Sequence, residues 1–240
     1  IARLRPHLAP EARAIVTLRH GAAVSELAQW LTDEGFGETQ LAVMERLGGS
    51  AERIRHFVAK DTPPEGIDPL VAVAMTVAGA GRVIPCATGL ADDFFDHDGQ
   101  ITKRPVRALA LSALAPCAGD LLWDIGAGSG SVGIEWLLAH PANRCIGIET
   151  DASRAARARG NATRLGMDRI EIREGRARAL LPDLPRPQAV FVGGGADQAL
   201  LTELWACLEA GTRLVVHAVT LETEALLTHW QAEKGGALLR

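Results

Sequence analysis

The feature that most constrains this chain is the stretch 121–137, which reads LLWDIGAGSGSVGIEWL. Leu121, Leu122, Trp123 and Ile125 form a short apolar run, the length of a strand buried on both faces. Gly126, Gly128 and Gly130 follow at once, and Val132, Ile134, Trp136 and Leu137 then fall at helical spacing. Strand, glycine turn and helix make the βα corner that binds nucleotides. Glycines there let the backbone turn sharply and let a ligand approach the peptide groups, next to the free N–H groups of a helix start.

The spacing is Gly-x-Gly-x-Gly, preceded by Asp124. Dinucleotide-binding turns place the third glycine one residue later and receive a pyrophosphate. A carboxylate two residues before the first glycine is awkward for a phosphate. It suits a cationic ligand, such as the amino and sulfonium groups of S-adenosylmethionine. Glu149 closes the next apolar run, Cys145-Ile146-Gly147-Ile148. An acid at that strand tip can accept two ribose hydroxyl hydrogen bonds. The alternative is a structural turn with two surface acids.

With 240 residues the chain holds one large domain, or one domain and part of another. The net charge of −4 disfavours a polyanion-binding surface, so nucleic acid is not an expected partner. Cys86, Cys117, Cys145 and Cys207 are scattered, with no CxxC and no adjacent histidine pair. Reduced thiols in a cytoplasmic protein are expected, not disulfides or a zinc site. No apolar run reaches transmembrane length and no signal pattern opens the chain, so no membrane role is expected. The start at Ile1 is read as that of a fragment.

Residues 1–85 form one block. Arg13–Leu18, Leu41–Leu47 and Leu70–Val77 read as strands, Val24–Glu34 as an amphipathic helix and Ala51–Val58 as a short helix. Lys60–Pro69 reads as a loop. The block has no glycine-rich ligand loop and is expected to be the end of a domain, too small for a closed sheet of its own. The second domain is placed at 86–240, truncated at its C-terminus. Gly89–Gln100 is an acidic hinge with adjacent Phe94 and Phe95, and Pro105–Leu114 reads as a helix with proline in its first turn. Asp92, Asp93, Asp96, His97 and Asp98 read as a solvated acidic loop in preference to a metal site, since hard cations need convergent oxygens. Strand and helix then alternate: a helix at Ser153–Leu165, strands at Ile170–Arg173, Gln188–Val192 and Thr212–Val219, helices at Leu200–Glu209 and Glu222–Glu233, and a sixth strand beginning at Gly236–Arg240. That rhythm predicts an α/β, doubly wound, mostly parallel sheet with its ligand at the strands' carboxyl ends.

From about Pro85 onward the chain resembles the Rossmann-like class I S-adenosylmethionine-dependent methyltransferases. It more closely resembles the decarboxylating methyltransferases of corrin biosynthesis, which methylate C15 of a precorrin. Five stretches carry the resemblance, in order: FDHDGQITKR, RALALSAL, DIGAGSGSVGIEW, FVGGGAD and AVTLET. The first 85 residues look like the tail of the tetrapyrrole methylase domain that precedes this one in fused C5,15-methylating enzymes. The resemblance implies S-adenosylmethionine as cofactor, a precorrin as substrate, loss of the C12 acetate carboxyl, and a homo-oligomer, a tetramer by analogy. It puts Gly126, Ala127, Gly128, Ser129 and Gly130 on the methionine moiety, Glu149 on the ribose, Arg176 and Ala177 beside the adenine, and Thr102 over the cofactor.

Two positions depart from the family pattern. The loop at Gly175-Arg176-Ala177 lacks the acid that often receives the adenine amino group, and His217 stands where many members carry asparagine. His217 is the one candidate for proton handling, against a buried structural histidine. Methyl transfer to an enamine-like carbon needs positioning more than a strong base, and the sequence offers no nucleophile–base pair. Lys103, Arg104, Arg107 and Arg176 are the candidate cations for substrate carboxylates. The oligomer is expected to form around the apolar Val106–Leu114 helix and the Phe94-Phe95 pair. Two rival readings remain. An RNA or protein methyltransferase is disfavoured because the fourth strand leads into Gly-Gly-Gly, not Asn/Asp-Pro-Pro-Tyr/Phe, and the chain has no tyrosine. An inactive cofactor-binding or assembly module is the other.

Overall fold

Period-two patterns build the first sheet. Arg13–Thr17 (β1), Gln40–Glu45 (β2), Arg53–Val58 (β3) and Val71–Thr76 (β4) pair in the order β1-β4-β2-β3, every neighbouring pair antiparallel. Helix α1 (Ala23–Asp33) turns Val24, Leu27, Ala28 and Leu31 into a core shared with Leu41, Val43, Val73 and Met75. The computed structural model describes residues 1–239, in two units: Ile1–Ile84 and the chain from Pro85 onward.

Two expectations for the first unit are corrected. Ala51–Val58 is not a helix: Arg53–Val58, with Ile54, Phe57 and Val58 favouring a strand, pairs antiparallel with β2. Arg53 and Arg55, two apart and so on one face, both donate to Glu45 across the strand pair, at 2.9 and 3.0 Å from their Nε atoms. The Arg53 hydrogen bond holds the Glu45 carboxyl down at about 2, against the opposing effect of its burial. With that extra strand the block makes a four-stranded sheet and a core of its own.

In the second unit a five-stranded parallel sheet runs β7-β6-β5-β8-β9. Its strands are Leu121–Ile125 (β5), Arg144–Glu149 (β6), Glu171–Glu174 (β7), Ala189–Val192 (β8) and Arg213–Val216 (β9). Every residue of β5 and β8 is buried, as unbroken apolar runs in a parallel sheet require. The helices are α2 (Arg104–Leu114), α3 (Ser131–Ala139), α4 (Ala152–Arg164), the single-turn α5 (Ala177–Leu180), α6 (Gln198–Cys207) and α7 (Leu221–Lys234). Most ends differ from the sequence reading by one to three residues. The sixth strand is not present over residues 236–239, where Gly235 and Gly236 turn the chain with positive φ after α7; Arg240 lies outside the described residues.

Candidate active site

The glycine turn sits where β5 ends at the middle of the sheet, so its position follows from the most buried strand. Gly126, Gly128 and Gly130 have φ of 75°, 56° and 76°, values at which a side chain would be strained. Gly126 and Ala127 donate to the Ile148 carbonyl on β6 at 2.9 and 3.0 Å. Gly130 leans on α4, where an added Cβ would stand 3.1 Å from that of Ala158. On the other side Gly193, just after β8, donates to the Ile125 carbonyl at 2.9 Å.

Both acids of the sequence reading meet this turn. Glu149, at the tip of β6, accepts from Gly128 N at 2.8 Å through Oε2, and from Thr150 N and Asp151 N at 2.8 and 3.0 Å through Oε1. Asp124 lies beneath the turn and is 1% exposed. Its Oδ2 accepts from Gly133 N of α3 at 3.1 Å, and its buried Oδ1 has no protein partner. Burial pushes its carboxyl up to about 7; the Gly133 N–H works against this and the Glu149 charge adds to it.

The Arg176-Ala177 pair follows β7, where Gly175 N donates to the Glu149 carbonyl at 2.9 Å. Ala177 opens the short helix α5, while the Arg176 side chain is exposed. His217 continues β9, donating its backbone N–H to Val192 at 2.9 Å. Its half-buried ring meets Phe191 edge-on at 4.8 Å, and desolvation lowers its pKa, so the ring is neutral at pH 7.

Residues 89–103 form a strap leading to α2. The Gln100 carbonyl lies 4.0 Å from where a Gly128 Cβ would stand, so the strap reaches the turn just before Thr102. Thr102 itself is half-buried, and its carbonyl accepts from Arg107. Lys103 and Arg104 are exposed; Lys103 lies 4.0 Å from Asp92, and Arg104 has no ion-pair partner among the described residues.

Arg107 is not one of the surface cations. It is fully buried: Nε donates to Glu135 of α3 at 2.5 Å, Nη1 to Asp92 at 3.0 Å and Nη2 to the Leu90 carbonyl, with Phe95 stacked at 4.9 Å. With no exposed surface and four of its five donors held by its own chain, this guanidinium cannot reach a substrate at the surface. Phe94 and Phe95 are likewise inside the unit, 5% and 3% exposed, so they offer no surface for association. Val106 and Leu109, on the outer face of α2, are 46% and 53% exposed. Two later acids of the strap face α4: Asp98 accepts from Arg154 at 2.8 Å and from Arg157 at 3.2 Å, and Asp96 lies 3.5 Å from Arg157.

Two buried polar residues escape a reading of motifs. Glu135 accepts Gly89 N and Leu90 N at 2.6 and 3.1 Å besides Arg107. Asn161, on the buried face of α4, reaches the strap and the turn together. The available signal was an acid inside an otherwise apolar helix, and an asparagine on a stripe of alanines.

A parallel sheet with a glycine turn at the end of its central strand and an acid on the neighbouring tip defines a Rossmann-like methyltransferase fold. The chain belongs to the precorrin methyltransferase family, whose domain matches residues 93–240. It is 46% identical over 240 residues to the precorrin-6Y C(5,15)-methyltransferase [decarboxylating] of Sinorhizobium sp, covering 99% of this chain and 58% of that one. It is 35% identical over 148 residues to a Saccharolobus solfataricus protein named "Probable cobalt-precorrin-6B C(15)-methyltransferase (decarboxylating)", covering 59% of this chain and 73% of that one. The crystal structure of the C-terminal domain of precorrin-6Y C5,15-methyltransferase from Rhodobacter capsulatus superposes with a TM-score of 0.63 at 52% identity, covering 65% of this chain and 85% of that one. The chain thus spans under two thirds of the length of the fused relative.

Proposed function

We propose that the second unit transfers a methyl group from S-adenosylmethionine to C15 of a precorrin and promotes loss of the C12 acetate carboxyl, a step of cobalamin biosynthesis. The observation that carries this reading is the match of residues 93–240, which include the turn and its neighbours, to the precorrin methyltransferase domain. The shorter Saccharolobus relative, named for the C15 reaction alone, supports giving that reaction to this unit. The first unit is read as belonging to a C5-methylating domain, on the match that extends over 99% of the chain.

The residues suit the cofactor. Among the described residues, Asp124 keeps one buried carboxyl oxygen without a protein partner beneath the turn, an acceptor suited to a cationic group, and Glu149 Oε2, which accepts only from Gly128 N, keeps a lone pair for a ribose hydroxyl. At Gly126 and Gly128 the nearest packed atoms stand 3.6 and 3.9 Å from where a Cβ would lie, which leaves space for a ligand against the backbone. Ser129 and Ala127 complete the cradle, Thr102 bounds it from the strap, and Arg176 and Ala177 border the adenine. Bound there, S-adenosylmethionine supplies an electrophilic methyl carbon on a sulfonium. The protein's part is to bind, orient and exclude water, because the substrate's meso carbon is itself nucleophilic and its conjugated ring accepts the electrons left by the carboxyl. Exposed Lys103, Arg104 and Arg176 pair with substrate carboxylates at the mouth. His217, neutral at pH 7, is the group available to hold a proton near β8. The exposed Val106 and Leu109 support self-association through α2.

The test is incubation with methyl-labelled S-adenosylmethionine and a precorrin already methylated at C5. The expected result is one labelled methyl on the ring and release of one carbon dioxide. Label transfer to RNA, or to no acceptor at all with cofactor bound, would overturn the reading.

A further inference from the structure

Asn161 is 1% exposed in the middle of α4, on the same face as Ala155, Ala158 and Ala162. Burying a carboxamide among alanines is costly unless all its hydrogen bonds are made. Here they are. Oδ1 accepts from Asp96 N at 2.8 Å and from Arg164 Nη2 at 2.7 Å; Nδ2 donates to the Asp96 carbonyl at 2.9 Å and to the Ser129 carbonyl at 2.9 Å. Two donors and two acceptors exhaust what the group has. The two carbonyls and the Asp96 N–H also leave only one orientation for the amide.

Those partners come from three parts of the unit. Asp96 belongs to the strap, Ser129 to the glycine turn and Arg164, like Asn161 itself, to α4. Independent contacts reinforce the same junction. Ala158, one turn before Asn161, is the residue against which Gly130 packs. Arg154 and Arg157, on the same helix, grip Asp98 of the strap, whose carboxyl is held at about 2 chiefly by the Gln100 N–H and then by Arg154. Thr102 lies four residues beyond Asp98.

We infer that Asn161 is a positioning residue that locks the glycine turn and the strap into one binding-competent arrangement, so that cofactor affinity depends on a side chain that does not touch the cofactor. The inference takes its second readout from the function proposed above; its first does not depend on it. Serine, aspartate or alanine cannot replace the group, since none offers two donors toward carbonyls and two acceptor sites in one plane. Aspartate matches its shape and turns both donors into acceptors, so two carbonyl oxygens would face a carboxylate.

The experiment compares the 240-residue chain with Asn161→Asp by hydrogen exchange and by calorimetric titration with S-adenosylhomocysteine. Exchange should quicken by about tenfold or more over both 94–102 and 126–131, while the β5 and β8 amides stay protected. The dissociation constant should rise by about tenfold, equivalent to about 1.4 kcal/mol. Unchanged exchange in the turn overturns the inference; so does faster exchange with unchanged affinity. If the unsubstituted chain binds no S-adenosylhomocysteine, the cofactor reading fails and the exchange result alone decides whether Asn161 couples the segments. If Asn161→Asp does not fold, the unsubstituted chain decides: saturating S-adenosylhomocysteine should slow exchange in the strap as well as in the turn, and protection of the turn alone overturns the coupling.

Discussion

Asp124 shows how far one residue can be read from its neighbours in sequence. Its place two residues before Gly126 puts it next to the glycine turn, and the structure buries it beneath the backbone instead of leaving it on the surface. Sequence carries no measure of depth, so the effect on its acidity was not legible. A carboxyl held at about 7 in the fold and near 3.8 in the unfolded chain is protonated in the native state between those values. The folded state then binds more protons, so this one group's contribution to stability is fully present below about pH 4 and is lost as pH rises to about 7, by up to about 4 kcal/mol for such a shift. Asp124→Asn keeps an acceptor for Gly133 and removes the titration. Urea unfolding followed from pH 4 to pH 7.5 should show the variant losing less stability than the unsubstituted chain; parallel curves would mean Asp124 is ionised throughout.

At the scale of elements, strand, glycine turn and helix were legible because periodicity and positive-φ glycines are local properties. Residues 51–58 were misread because the six residues Arg53–Val58 show no clean alternation and so give a helix and a strand similar short-range cues, and the deciding partner, Glu45, lies on another strand. Arg107 was misread for the same reason: nothing within Pro105–Leu114 shows that Glu135 waits on α3. The pair ties α2, α3 and the start of the strap through one carboxylate. Glu135→Ala should cost about 3–5 kcal/mol, because it leaves a buried guanidinium and two N–H groups short of an acceptor. Arg107→Met combined with Glu135→Leu should cost less than the two single changes added together. Denaturant midpoints of the four chains measure this, and strictly additive losses would show that the two residues act separately.

For the molecule as a whole, the two units each close a core around their own sheet, and residues 82, 83 and 85–88 are exposed where one gives way to the other. Exposed connecting backbone is where proteases cut first. Limited proteolysis should cleave within 82–88 and release a C-terminal fragment that keeps the S-adenosylhomocysteine affinity of the whole chain; first cuts inside either sheet would contradict this division. The strap carries a consequence for synthesis. Asp96 pairs with a residue 65 positions later, and during translation it leaves the ribosome first. At about 5–20 residues per second it waits roughly 3–13 seconds for Asn161 to be made. Through that interval Phe94 and Phe95, buried in the finished unit, have no completed sheet to fold against. The segment that lies against the glycine turn is therefore also one the nascent chain must keep out of trouble until the later helix is made.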